Sequence, residues 1–248
     1  MHAEGTGEPE VDVEPASVEV HLDAGRLVVR CAEVSGPRLV TIAPRVPTDA
    51  RAVQAVASAA VRHSGRRLSV SLTDPGGRGR AGQVLVTVQV PTGTSVVADA
   101  GEAEVVCTGT LGTLDATTSS GSVHAEVVAG SLTVRTGRGP VTVHRCGGPT
   151  SVSTSSGVVV LREVAGPAVL ANRAGDVHVW WLGAPAQVVT SSGNVRLGWQ
   201  RGRPVHLDLA TTGGRLRVSV PDDPDASTTL RVSTIAGDVW VEPADPLG

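Results

Sequence analysis

Residues 118–125 read TSSGSVHA, residues 154–161 read TSSGVVVL and residues 190–197 read TSSGNVRL. The glycine of this string belongs to a series with a period of 18 residues, which comprises Gly121, Gly139, Gly157, Gly175 and Gly193. A second series has the same period but is displaced by nine residues, and it comprises Gly112, Gly130, Gly148, Gly166, Ala184 and Gly202. Two interleaved series predict two strands and two turns in every 18-residue repeat.

Between these marks, apolar and polar residues alternate. From Gly121 onward, the second and fourth positions after each mark are apolar, with Thr150 as the exception, and the position between them is mostly polar. Alternation with a period of two is a strand signal. No half-repeat could bury its apolar face alone, whereas repeats stacked at about 4.8 Å would enclose a continuous core. The sequence therefore predicts an all-β protein, a parallel β-solenoid with 18-residue coils and two strands in each coil.

The 18-residue period is missing from the N-terminal part of the chain. Alternating runs there predict strands over residues 18–22, 26–31, 68–72 and 84–90, and we expect these to form a mainly antiparallel β capping segment. Apolar spacing over residues 52–61 predicts a short helix. The expected organisation is a disordered tail (1–10), a β-rich cap segment (11–97), solenoid repeats (98–220), and a loop with a terminal coil or cap (221–248).

Composition excludes several function classes. The chain has 248 residues, a net charge of −3 and four tryptophans but no Phe or Tyr, so we expect a narrow core of Val, Leu and Ala. An acidic balance lacks the electrostatic footprint of a nucleic-acid binder. We see no transmembrane run and no signal peptide, which favours a cytoplasmic protein. Cys31, Cys107 and Cys146 are too widely spaced for a disulfide framework, and we expect three free thiols.

The repeated T-S-S-G-x-V strings follow V-x-V-x-V-P-x-G at residues 86–93 and precede T-x-x-G-D-V-W-V at residues 234–241. In order and spacing, these motifs resemble the bacterial β-strand-repeat adhesin family, also called toast-rack-like domains, a family of unknown function. The resemblance spans residues 11–243. It implies a β-solenoid and no demonstrated catalysis, and it carries over no catalytic, metal or cofactor-binding residue.

The hydroxyls of the T-x-x-G string recur in coil after coil. We therefore interpret them as hydrogen-bond partners of the turn backbone rather than as nucleophiles. Histidines lie on one outward face. His124 and His178 are three coils apart, about 14 Å at one strand spacing per coil, and cannot share a metal ion. His124, His144 and Glu126 are closer together and leave a weak surface metal site as the alternative to solvated histidines.

The same outward face becomes aromatic and basic toward its C-terminal half. Trp181 and Trp199 have the same phase and are predicted to stack one coil apart, beside Trp180. Clustered indoles and guanidinium groups are typical of partner-binding surfaces, although the rings could instead shield a corner of the core. The candidate partner-binding surface is His178, Trp180, Trp181, Arg196, Trp199, Arg217 and Trp240.

These observations favour a noncatalytic binding or scaffold protein that recognises a protein or glycan partner through its repetitive strand face, without a cofactor. A self-assembling structural module is the first alternative, because the ends of a solenoid expose unpaired strand edges. A polysaccharide-active enzyme is the second alternative. Glycoside cleavage requires two carboxylates about 5–10 Å apart, and Glu126 and Glu163 have no acidic neighbour in the matching phase.

Overall fold

The computed structural model describes residues 17–32, 40–72 and 82–247, and the tail predicted at residues 1–10 lies outside them. The described part contains one helix, α1 (Ala50–Ala57), and twenty strands. The strands are β1 (Ser17–Ala32), β2 (Val40–Pro44), β3 (Ala60–Ser64), β4 (Arg67–Leu72), β5 (Val84–Pro91), β6 (Ser95–Leu111), β7 (Leu114–Thr118), β8 (Val123–Val128), β9 (Leu132–Arg138), β10 (Val141–Cys146), β11 (Thr150–Ser156), β12 (Val159–Val164), β13 (Ala168–Ala174), β14 (Val177–Leu182), β15 (Ala186–Ser192), β16 (Val195–Gln200), β17 (His206–Thr211), β18 (Leu216–Val218), β19 (Thr229–Ala236) and β20 (Val239–Ala244).

From β7 onward, each coil consists of one odd-numbered and one even-numbered strand. Strands β7, β9, β11, β13, β15, β17 and β19 form one parallel ladder, here called the odd sheet. Strands β8, β10, β12, β14, β16, β18 and β20 form the opposite ladder, the even sheet. Between Gly121 and Gly193 the register joins residues 18 apart, as with Val141 and Val159. The predicted parallel β-solenoid is confirmed.

The core is a narrow column of aliphatic side chains between the two sheets. Fourth-position residues stack in register along the even sheet in the order Val143, Leu161, Val179, Leu197 and Val241, and all of them are buried. Each coil adds one such layer, so burial is continuous although no coil has a core of its own. Cys31, Cys107 and Cys146 are buried and free, as predicted.

The N-terminal segment is not mainly antiparallel, and that prediction is wrong. β1 pairs in parallel with β4 and β5 on one side and with β6 on the other, so it forms a full coil of the solenoid. Antiparallel pairing is confined to the outer layer, where β2 pairs with β5 and β3 pairs with β4. The physical reason is that β1 bends at Gly25 (φ 130°), which places its two halves on opposite sheets.

The predicted helix is confirmed in its first half only. α1 begins after Asp49, whose side chain accepts a hydrogen bond from the backbone N–H of Arg51 at 3.0 Å and caps the helix. Ala60 and Val61, which the sequence placed in the helix, instead begin β3 and pair with β4. Pairing with a core-facing strand overrides a weak helical preference in a segment this short.

At the C-terminal end, the order of coils in space differs from their order in the sequence. β19 and β20 pair with β15 and β16, and β17 and β18 pair with the far side of β19 and β20. The last coil in the sequence is therefore the last but one in space. This corrects the prediction that residues 221–248 form a terminal coil or cap.

The corner after each odd strand depends on glycine. Gly157 has φ 152°, and a Cβ there would lie 2.2 Å from the carbonyl oxygen of Gly139 in the preceding coil. The predicted backbone role of the corner hydroxyls holds for Thr118, which donates to the Gly101 carbonyl at 3.0 Å. The buried hydroxyls of Thr154 and Thr190 have no hydrogen-bond partner within the described chain.

Candidate functional site

The most prominent side chain on the outward face of the even sheet is Trp180 in β14, which is 54% exposed. The guanidinium carbon of Arg162, on the neighbouring strand β12, lies 6.0 Å from the centroid of the Trp180 ring. This distance is that of a cation–π contact, which holds one face of the indole. Strand alternation directs Trp180 outward because its neighbour Val179 points into the core.

A groove opens beside Trp180 because the next strand carries a glycine at the outward position. A Cβ on Gly198 in β16 would lie 2.0 Å from the carbonyl oxygen of Trp180 and 2.7 Å from the Cβ of Ala244. The backbones therefore approach too closely for a side chain. The result is a groove of about 240 Å³, lined among others by His178, Trp180, Arg196, Gly198, Glu242 and Ala244.

The wall opposite Trp180 carries one ion pair. Arg196 in β16 and Glu242 in β20 lie 4.0 Å apart between Nη2 and Oε1, and both side chains are more than half exposed. In an exposed pair of this length, the charges remain available to hydrogen-bond an incoming group. The groove therefore combines an apolar ring with one cation and one anion.

Trp240 extends this surface and lies between two arginines. The guanidinium carbons of Arg196 and Arg217 lie 5.6 Å and 5.8 Å from the centroid of its ring. Trp240 pairs in register with both arginines because β20 is inserted between β16 and β18. The sequence had placed Arg217 before Trp240 along this face, and the insertion of β20 reverses that order.

Trp199 does not belong to the surface, because its side chain is only 1% exposed. Its indole N–H donates a hydrogen bond to the carbonyl oxygen of Arg203 at 2.9 Å. The Arg203 guanidinium carbon lies 6.0 Å from the ring centroid, and Nη1 donates to the carbonyl oxygen of Gly183. Trp199 is therefore part of the core and anchors the turn that follows β16.

Trp181 is also buried, and the predicted stack with Trp199 is absent. The register between β14 and β16 shifts after Val179, so that Leu182 pairs with Trp199. On the other side of β14, Trp181 pairs with Glu163 of β12. Its ring lies against the backbone of Gly183, where a Cβ would be 2.4 Å from the ring atom Cη2. Trp181 and Trp199 occupy the same position in consecutive repeats, and this predicted that the two rings would align. The bulge between β14 and β16 removes that alignment.

The candidate surface therefore keeps His178, Trp180, Arg196, Arg217 and Trp240. It gains Arg162, Gly198 and Glu242, which the sequence had not placed in it. Arg162, Gly198 and Glu242 each lie five residues after Gly157, Gly193 and Gly237, the same spacing that separates Trp180 from Gly175. Applying the same five-residue spacing to Gly237 would have identified Glu242 from the sequence.

Two other histidines of this face, His124 and His144, lie outside the lining of the groove. The rings of His124 and His144 are 5.2 Å apart in an edge-to-face arrangement. Partial burial is the main cause that lowers the pKa of His144, and the charges of His124 and Arg162 lower it further. The Glu126 carboxylate accepts the backbone N–H of Gly109 at 2.6 Å. Across the described residues, no three His, Cys, Asp or Glu side chains are grouped to hold a metal ion.

The sequence matches a family of β-repeat domains over residues 52–244, more than half of the chain. The chain belongs to the Toastrack DUF4097 family. The Toastrack match begins inside α1, so β1 lies outside it, although β1 forms a complete coil between β4–β5 and β6. This family is the one that the sequence motifs had indicated. No curated protein matches the sequence.

Solved structures that match this Toastrack chain include two whose names refer to adhesion. The first, a "putative adhesin" from Bacteroides fragilis, has 13% identity and a TM-score of 0.51, with 92% of this chain and 93% of that chain covered. It shares the fold. The second, a "putative cell adhesion protein" from Clostridium sporogenes, has 10% identity and a TM-score of 0.33, with coverages of 95% and 98%. None of the helices in the described part has the length and hydropathy needed to cross a membrane.

Proposed function

We propose that this Toastrack chain is a noncatalytic binding protein that recognises a protein or glycan partner through the outward face of the even sheet. The observation that carries the proposal is the exposed Trp180 ring beside the groove that Gly198 leaves open. Trp180 supplies broad apolar area with a donor at its rim, and the wall opposite supplies both charges through Arg196 and Glu242.

The two faces of the Trp180 ring have different surroundings. Arg162 lies over the ring from β12, while on the β16 side the outward position belongs to Gly198, which carries no side chain. A partner side chain or a sugar ring that enters the groove can therefore lie against the indole. Its polar groups would then meet Arg196, Glu242 and His178. Aromatic and arginine side chains together are enriched where binding energy is concentrated.

The carboxylates of this face support the noncatalytic part of the proposal. Glu242 is the one carboxylate in the described lining of the groove, and Arg196 lies 4.0 Å away. Glu163 is paired with Arg145 at 3.1 Å. Glycoside hydrolysis uses an acid and a second carboxylate on either side of the bond, and here the second carboxylate would have to come from elsewhere. The Bacteroides fragilis protein of the same fold is named for adhesion, which supports a binding role.

The test compares partner capture by three forms of the full chain. Wild type, Trp180→Ala and Val169→Ala are immobilised and exposed to cell lysate and, separately, to a glycan array. Val169 is the matched control because it is 53% exposed and points outward from the odd sheet. We expect a ligand bound by wild type and Val169→Ala to be lost with Trp180→Ala, while all three forms melt at similar temperatures. Equal binding by all three forms would place the site elsewhere.

A turnover assay separates binding from catalysis. A glycan retained by the wild type is incubated with it and analysed for shortened products. The proposal expects the glycan to be recovered intact, whereas cleavage that is lost in Glu242→Gln would assign the chain to the polysaccharide-active class. The cytoplasmic location remains a prediction, which cell fractionation would test.

A further inference from the structure

Arginine and tryptophan side chains alternate across the outward face of the even sheet, over the consecutive strands β12, β14, β16, β20 and β18. We call this set the Arg–Trp strip, and in strand order it comprises Arg162, Trp180, Arg196, Trp240 and Arg217. Neighbouring members are in cation–π contact at three places, with distances of 5.6–6.0 Å. Because strands lie about 4.8 Å apart, the strip is about 19 Å long and carries a cation on every second strand.

The Arg–Trp strip is positively charged, although the whole chain has a net charge of −3. Glu242 is the one acidic residue at the outward positions of these described strands, against three arginines. Glu163 in β12 does not add to the strip, because its carboxylate is 3.1 Å from Arg145 and mostly buried. A negatively charged ligand is therefore the electrostatic complement of this part of the face.

The groove within the strip sets three further requirements. An ionised carboxylate such as Glu242 only accepts hydrogen bonds, so a ligand beside it must carry donors. A guanidinium such as Arg196 only donates, so the same ligand must carry acceptors. The side of the Trp180 ring above Gly198 needs an apolar surface. A sugar ring meets all three requirements, since it has hydroxyls at its rim and C–H groups on its face.

We propose that the Arg–Trp strip binds an acidic glycan, namely a chain of uronic acid sugars. This inference rests on the function proposed above and selects one of its two partner classes. One sugar ring lies in the groove against Trp180 and turns its hydroxyls toward Glu242. The carboxylates of the chain bind the three arginines, because a guanidinium holds a carboxylate through two parallel hydrogen bonds.

An acidic peptide fits the same charges less well. Extended peptides bind to sheets through backbone hydrogen bonds along a strand edge. The strands β14, β16 and β20 have no free edge, because each is paired on both sides. The carboxylates of such a peptide would also offer no donor to Glu242. The strip therefore favours a ligand that is recognised by side chains alone.

Single-stranded nucleic acid also fits less well. Its recognition depends on bases that stack on exposed aromatic rings along a positively charged groove. In the strip, Trp240 lies between Arg196 and Arg217, so that an arginine already approaches it from each neighbouring strand. The side of Trp180 above Gly198 then offers one stacking place, which suits a single sugar ring better than a series of bases.

The first experiment measures binding to the full chain by isothermal titration calorimetry. The probes are hexamers of galacturonic, mannuronic and guluronic acid, and the control for each is its methyl ester, which keeps the rings but loses the charge. We expect at least one acid to bind, and its ester to bind about tenfold more weakly or less, because charged hydrogen bonds are lost. A dimer of the same sugar, which is too short to reach all three arginines, should bind more weakly than the hexamer.

The second experiment identifies the side chains that hold the carboxylates. Arg196→Gln should raise the dissociation constant of the bound hexamer by about tenfold, since one charged donor is removed. Arg135→Gln is the matched control, because Arg135 is an exposed arginine of the odd sheet, 3.6 Å from Asp115. This control should bind as the wild type does, and both variants should melt as the wild type does.

The outcomes separate this inference from the proposed function. The inference is overturned if none of the three acids binds at millimolar concentration, if acid and ester bind equally, or if Arg196→Gln binds as the wild type does. Tighter binding of polyglutamate or of single-stranded oligothymidine than of every hexamer would also overturn it. Equal binding of acid and ester that is lost in Trp180→Ala would leave the proposed function in place with a neutral glycan. An acid that binds Trp180→Ala as tightly as the wild type would contradict the groove and both proposals.

Discussion

Val188 in β15 pairs with Val232 in β19, although Leu209 of β17 comes first along the chain. Leu209 pairs with the far side of Val232. This one insertion has two consequences for function. It places Glu242 and Ala244 beside Gly198, which completes the groove, and it places Trp240 between two arginines, which completes the Arg–Trp strip.

Truncation of one core layer should be costly. Leu161 is completely buried in the middle of the even-sheet ladder, so Leu161→Ala should lower the free energy of unfolding by about 2–5 kcal/mol through the cavity left behind. Val160, one residue away and outward, should lose much less on truncation to Ala. Urea denaturation of both variants provides the measurement. Equal losses in the free energy of unfolding would show that Leu161 does not point into the core while Val160 points outward.

A side chain at the coil corner should not be tolerated. In Gly157→Ala, the new Cβ would clash with the Gly139 carbonyl and the residue would keep a φ of 152°, so we expect a loss of about 1–3 kcal/mol or more. Gly213→Ala is the control, because its Cβ would meet nothing closer than 3.4 Å. Thermal melts compare the two variants. Similar melting temperatures would contradict the close packing of the Gly157 corner against Gly139 of the preceding coil.

The tryptophans should divide into a surface ring and a core ring. Trp199→Ala removes a buried indole and its hydrogen bond to Arg203, so we expect a loss of about 3–5 kcal/mol. Trp180→Ala should change the free energy of unfolding by less than about 0.5 kcal/mol, as is usual for surface positions. Chemical denaturation compares them. If Trp180→Ala is destabilised as strongly as Trp199→Ala, the exposed ring is structural.

The thiols should be inert in the folded protein. Burial raises the pKa of Cys107 to about 12 and that of Cys31 and Cys146 to about 11. A raised pKa means that the unfolded chain releases its thiol protons first as pH rises, so these groups reduce stability from about pH 9 upward. Thiol counting should give three groups in denaturant and almost none in native buffer at pH 8. Rapid native labelling would contradict their burial.

Much of the fold could be predicted because an 18-residue coil repeats its inward pattern in every layer. The N-terminal coil was missed although the same signal was present: Val18, Val20 and Leu22 precede Leu27, Val29 and Cys31 by nine residues, the half-coil spacing. The 18-residue glycine period arises where coils that stack on each other also follow each other in the sequence. β1 instead pairs with strands that are distant in sequence, so no such glycine series identifies its coil.

The candidate site was predicted only in part, for a reason of register. Trp180, Arg196 and Trp240 follow from alternation within their own strands. The burial of Trp199 depends on a one-residue bulge against β14, and the position of Glu242 depends on which coil stacks on β16. Alternation is local, and it cannot distinguish between two coils that could each occupy the same layer.

The order of the C-terminal coils is the claim on which the groove and the Arg–Trp strip both depend, and paired cysteines test it most directly. Val189 lies beside Ser233 in adjacent strands, whereas Ala210 lies one strand further away. Adjacent strands place Cα atoms about 4.8 Å apart, within disulfide reach, and two spacings exceed it. After mild oxidation and alkylation, mass spectrometry should find an intramolecular disulfide in Val189→Cys/Ser233→Cys and none in Val189→Cys/Ala210→Cys. The reverse result would restore the sequence order of the coils and contradict the account.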